Sequence, residues 1–178
     1  IGERIVRIEN ELKKVQATRR LHRAGRKRVP YRVVALVGYT TAGKSTLFNR
    51  LTRAQVQAAD MLFATLDPTL RALTLPHGGK AMLSDTVGFV RDIPHHLVAS
   101  FRATLEEATH ADLLLIVLDI ADAACELHYS TVTGTLDELM AEVAESEGPG
   151  WKPPPRVLLL NKADQLRDNR DLLVWQRK

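Results

Sequence analysis

Val33-Val34-Ala35-Leu36-Val37 runs directly into Gly38-Tyr39-Thr40-Thr41-Ala42-Gly43-Lys44-Ser45, and Thr46-Leu47-Phe48-Asn49 follows without a break. Five aliphatic residues in a row predict a strand buried on both faces. The eight residues after it match GxxxxGK[ST], a loop whose glycines let backbone N–H groups curl around a phosphate at the start of a helix. Lys44 to Thr52 supplies that helix. Strand, glycine loop and helix in immediate succession form a phosphate-binding unit, in which Lys44 brings positive charge to the β and γ phosphates and the Ser45 hydroxyl can ligate Mg²⁺. Gly38, Tyr39, Thr40, Thr41, Ala42, Gly43, Lys44, Ser45 and Thr46 are therefore the candidate phosphate site.

Downstream the same alternation continues. Ala72 to Leu75, Ala81 to Leu83, Leu113 to Leu118 and Val157 to Leu160 read as further strands. His95 to Thr109 and roughly Glu126 to Glu145 read as helices, the former with Leu97, Val98, Phe101, Leu105 and Ala108 on one apolar stripe. Ser146 to Pro155, with three consecutive prolines, reads as a surface loop. The expected fold is α/β, a P-loop NTPase three-layer sandwich with a mostly parallel sheet, preceded by an N-terminal helical arm.

Two more motifs fall at the carboxyl ends of predicted strands, where open α/β sheets bind ligands. Asp85-Thr86-Val87-Gly88 reads DxxG, with Asp85 placed to hold the Mg²⁺ shell and the Gly88 N–H placed to sense the γ-phosphate. Asn161-Lys162-Ala163-Asp164 reads NKxD, whose Asp carboxylate accepts two hydrogen bonds from the N1 and N2 edge of guanine. Adenine would present a lone pair there, so the motif selects GTP over ATP.

The first 28 residues differ from the rest. They hold ten basic and three acidic side chains, a balance of +7 within a net charge of +4 for the 178-residue chain. Ile1, Ile5, Ile8, Leu12 and Val15 keep the seam spacing of a helix that packs against another. Residues 1–30 are thus expected to be a basic amphipathic helical arm and linker, the end of an upstream domain. Arg19-Arg20, Arg23 and Arg26-Lys27-Arg28 suit either a polyanion contact or a solvated helix face. Residues 31–178 form the expected GTPase domain, incomplete at its C-terminus because no fifth, guanine-closing element and no last strand follow NKxD.

Composition narrows the class further. One cysteine, Cys125, rules out an internal disulfide and a cysteine zinc cluster. The longest apolar run, Leu113 to Leu118, is far short of the roughly 20 residues that span a bilayer. His95-His96 offers no metal spacing, and Trp151 and Trp175 are too isolated to form a base-stacking platform, Trp175 reading as part of a terminal helix.

GYTxAGKSTLFNRLT at Gly38 to Thr52, MLFATLDPT at Met61 to Thr69, DTVGFVRDIPHHLVASFRATLEE at Asp85 to Glu107 and NKAD at Asn161 to Asp164 resemble the signature of the HflX family of translational-type GTPases. The resemblance extends to the basic arm and covers the whole chain. It implies a cytoplasmic protein, monomer favoured, that binds the large ribosomal subunit through rRNA and in its GTP form separates ribosomes. It also implies that Thr65 is the switch threonine completing the Mg²⁺ shell with Ser45 and Asp85, Thr69 being the runner-up. The catalytic set is then Lys44, Thr65 and Gly88, with GTP or GDP as ligand.

The chain departs from the pattern of related GTPases at two positions. Phe89 follows Gly88, where Ras-like GTPases carry the glutamine that orients water, and a phenylalanine cannot polarise water; the family shares this hydrophobic replacement, so the resemblance implies slow hydrolysis accelerated by a partner. Thr41 stands where the family usually has Asn. An RNA-binding module that uses the nucleotide as an ordering switch with negligible turnover is the alternative. A GTPase serving an RNA-modification enzyme has no supporting residues.

Overall fold

Strand β1, Arg32–Val37, lies at the centre of a five-stranded sheet because both of its faces are apolar. In the computed structural model, residues 31–53, 69–90, 105, 108–166, 168 and 170–175 are described. Contacts divide the chain at Tyr31 and Arg32, and the fold below is that of the second unit. The expected helix and linker of residues 1–30 lie outside the described residues, as do Thr65 and most of His95 to Thr109.

After β1 come α1 (Lys44–Thr52), β2 (Thr69–Thr74), β3 (Lys80–Asp85), β4 (Leu113–Asp119), α2 (Cys125–Glu147), β5 (Arg156–Asn161) and α3 (Arg170–Trp175). The strand order is β2-β3-β1-β4-β5. β1 runs parallel to β3 and β4, and β4 parallel to β5, while β2 pairs antiparallel to β3. Parallel neighbours need long crossovers, and α2 supplies the one between β4 and β5. The sheet is mostly parallel, as the sequence predicts.

Period-two alternation sorts the strand side chains into two cores. Ala35 and Val37 of β1 with Leu114 and Ile116 of β4 face α2, meeting Val132, Leu136, Leu139 and Met140. Leu36 and Val117, with partly buried Val34 and Leu115, face the other way onto Phe48 of α1. Leu105 and Ala108, predicted on one stripe, are both buried in the α2-side core. A third cluster joins Leu118 and Ile120 to Trp175, whose ring meets Tyr129 edge-on at 5.3 Å.

Two local readings are corrected. β2 begins at Thr69 rather than Ala72 and ends at Thr74 rather than Leu75, and it is an antiparallel edge strand with Arg71 and Ala72 exposed. Its short apolar run carried no information about pairing direction. α2 continues through Glu147, so the loop starts at Gly148, whose φ of 83° ends the helix. Edge strand β5 leaves Val157 exposed.

Candidate functional site

The carboxyl ends of β1, β3, β4 and β5 lie side by side, and the three motifs follow β1, β3 and β5 directly. Gly43, at φ 90°, turns the chain into α1, whose first turn has neither a side-chain cap nor an acidic residue. The first amides of a helix have no internal partner, so this end offers donors and a positive dipole to an anion. A Cβ at Gly43 would come within 2.5 Å of Asn161 Nδ2 and would have to adopt a left-handed φ, so a larger residue there is strained and displaces the NKxD asparagine.

Lys44 is buried beneath the loop. Its Nζ donates to the Gly38 carbonyl at 3.1 Å and the Tyr39 carbonyl at 2.8 Å. Burial pushes its pKa down from 10.5 to about 8, and the Asp85 charge opposes that shift. Ser45 Oγ donates to Asp85 Oδ2 at 2.7 Å, joining the two oxygens assigned from sequence to Mg²⁺. Both are hard oxygen donors of the kind that cation prefers, and it commonly takes its remaining ligands from water and substrate phosphate. Among the described residues no three His, Cys, Asp or Glu side chains gather as a metal site. Thr40 Oγ1 is buried without a hydrogen-bond partner, an orphan hydroxyl within the phosphate loop itself. Such groups are rare unless a ligand or water completes them.

The DxxG segment closes on the same loop. Thr86 Oγ1 donates to the Leu36 carbonyl at 2.6 Å, fixing the segment to β1. Phe89 N–H donates to the Gly38 carbonyl and Thr40 N–H to the Phe89 carbonyl, each at 3.0 Å. Gly88 lies so near that a Cβ would meet Thr40 Cα at 2.5 Å and Lys44 Nζ at 2.9 Å. Phe89 is 1% exposed in the α2-side core, so the residue after Gly88 is turned away from solvent.

NKxD reaches the loop from the other side. Asn161 Nδ2 donates to the Ala42 carbonyl at 2.8 Å, and Lys162 Nζ to the Thr41 carbonyl at 3.1 Å. Lys162 holds a left-handed φ of 59° and also pairs with Asp119 Oδ2 at 2.7 Å. Asp164 stands exposed in the short turn Ala163–Gln165. The predicted residues Gly38 to Ser45, Asp85, Gly88, Asn161 and Lys162 therefore meet around one loop; Thr46 is exposed on the first turn of α1. Thr69, the runner-up to Thr65, opens β2 directly across from Asp85.

Sequence reading missed Asp119, whose position at the end of an apolar run looks like a simple cap. It also missed His128. The His128 ring stacks on Tyr39 of the phosphate loop at 3.7 Å between centroids and 12° between planes. Nothing near either residue in the chain signals that pair.

Residues 33–162 match the family described as "50S ribosome-binding GTPase". The GTPase HflX of Magnetococcus marinus is 58% identical over 139 residues, which are 78% of this chain and 32% of that protein. The GTPase HflX of Escherichia coli is 47% identical over 168 residues, 94% of this chain and 37% of the relative. The chain thus spans about a third of the length of these curated relatives. Among solved structures, a GTP-binding protein from Sulfolobus solfataricus in complex with GDP superposes with a TM-score of 0.63 and 28% identity, covering 96% of this chain and 46% of that one.

Proposed function

This chain belongs to the family of 50S ribosome-binding GTPases, among its HflX members, and from that premise we propose that it binds GTP, hydrolyses it slowly, and couples the cycle to the large ribosomal subunit. The observation that carries the reading is the convergence of three motifs on one loop: Lys44 beneath it, Gly88 against it, Asn161 and Lys162 bonded to its carbonyls. Residues 31–178 are the GTPase domain and residues 1–30 the basic arm toward rRNA. Among the described residues no helix is long and apolar enough to cross a membrane, and a cytoplasmic monomer is the form proposed.

In this mechanism Lys44 and the loop amides of Gly38 to Ser45 neutralise the phosphates and orient the γ-phosphoryl group. Ser45 and Asp85, with Thr65, would hold Mg²⁺, which when bound adds positive charge where negative charge develops. The Gly88 N–H reads the γ-phosphate, and Asp164 reads the guanine edge while Asn161 and Lys162 fasten its turn to the loop. Buried Phe89 supplies no group to orient the attacking water, so the intrinsic rate is low and the ribosome raises it. Separation of ribosomal subunits is the finer proposal, supported by the family resemblance and the basic arm.

Turnover measured with and without ribosomes tests the coupling. Stimulation is expected; tight nucleotide binding with no turnover at saturating ribosomes would favour the ordering-switch alternative. Reversing Arg19, Arg20 and Arg23 to Glu should weaken ribosome binding and lower the slope of log affinity against log salt by up to about 2 to 3, while GTP affinity stays unchanged. An unaltered slope would make the arm a solvated face.

The depressed Lys44 pKa has its own signature. Phosphate brought to Lys44 favours the ammonium, so its pKa rises in the complex. Nucleotide affinity is then unaffected below about pH 8 and falls as pH climbs above it. Calorimetry at pH 8.5 in two buffers of different ionisation heat should register uptake of more than half a proton per GDP bound. No uptake would mean that Lys44 does not gain a proton on binding the phosphates.

A further inference from the structure

Tyr39 carries two jobs in the phosphate loop: its carbonyl accepts from Lys44 Nζ at 2.8 Å and from Ala42 N–H at 3.1 Å. The position of that carbonyl depends on where its own side chain is held. The ring rests against the α2-side core on one part of its surface and stacks on His128 of α2. His128 in turn is well placed to stay put. Its side chain is 14% exposed, and its backbone N–H donates to the Ala124 carbonyl at 2.9 Å in the opening turn of the helix. Asp122, just ahead of α2, accepts from Ala124 N–H through Oδ1 at 2.8 Å and from Cys125 N–H through its carbonyl at 3.0 Å. Its Oδ2 stands 3.8 Å from His128 Nδ1, beyond hydrogen-bond length, so the ring face and not that nitrogen makes the close contact.

We propose that His128 is a positioning residue for nucleotide binding: its imidazole, seated by the first turn of α2 and Asp122, clamps Tyr39 so that the Gly38 and Tyr39 carbonyls hold Lys44 beneath the phosphates. The inference rests on the reading of this loop as a nucleotide phosphate site. It adds a helix that belongs to none of the three motifs to the determinants of affinity. A stacked aromatic pair of this geometry is worth between about twofold and tenfold in an equilibrium constant.

The test uses the whole chain and GDP carrying a fluorescent label. His128→Ala should weaken GDP binding by about twofold to tenfold and raise KM for GTP by a similar factor, with kcat unchanged. His128→Phe, which keeps a ring at the contact, should restore both to within about twofold of the parent. Thermal unfolding without nucleotide separates a merely structural role. If Ala and Phe variants bind GDP equally, or if affinity changes only in step with lost thermal stability, the proposal is overturned. Lys44→Met measured alongside separates the two readings: a Lys44 variant that binds GDP like the parent removes the phosphate-site reading itself, whereas a Lys44 variant that fails to bind, beside a neutral His128→Ala, removes only the clamp.

Discussion

GDP is expected to displace a labelled guanine nucleotide from this chain at concentrations about 10⁴-fold lower than ADP does. The expected preference follows from the role proposed for Asp164, an acceptor-only carboxylate that two guanine donors would satisfy and that the adenine ring nitrogen would oppose with a lone pair. A site built to hydrogen-bond its ligand rejects an analogue strongly because its own polar group is left without a partner. Geometry adds to this selectivity. Asp164 sits in a turn joined to the phosphate loop by Asn161 to Ala42 and Lys162 to Thr41, so the base reader and the phosphate cradle hold a fixed separation. Equal displacement by ADP and GDP in the competition titration would remove the guanine assignment.

Replacing Lys44 with Met should lower nucleotide affinity by two to three orders of magnitude, about what truncating one member of a buried charge pair costs. The nucleotide-free protein should nonetheless melt at or above the parent temperature near pH 7. Lys44 is 4% exposed and its pKa is pushed down to about 8, so keeping it charged without a nucleotide beside it costs on the order of 3 kcal/mol. Because the folded pKa lies below the unfolded one, the unfolded chain holds more protons between the two values. Stability of the parent without nucleotide therefore rises with pH across that interval, and the Met variant loses this rise. The two carbonyls that Lys44 leaves keep partners, since Gly38 O also accepts from Phe89 N–H and Tyr39 O from Ala42 N–H. A large drop in melting temperature, matched by no selective loss of binding, would mean that Lys44 is a structural residue.

The amino-acid sequence by itself determined the phosphate loop, DxxG and NKxD, the alternation of strands and helices, and the strand ends that carry each motif. Those features are legible because their chemistry uses contiguous backbone: a glycine turn at fixed spacing, a lysine on the next helical residue, a carboxylate at the end of an apolar run. Periodicity also read Leu105 and Ala108 onto one buried stripe, since a helix brings residues three apart to one face. Only the tertiary structure decided what joins the motifs. Parallel register sets Asp119 opposite Asn161, which brings the Asp119 carboxylate to Lys162, and no local pattern encodes the register between β4 and β5. The same holds for β2, whose apolar residues fit a parallel or an antiparallel neighbour equally well, and for Phe89, which composition alone leaves either near the water or in the core. His128 is the clearest case. A single histidine between Leu127 and Tyr129 on a helix has no signature, and its role arises because the loop after β1 and the helix after β4 meet where their two parallel strands end side by side.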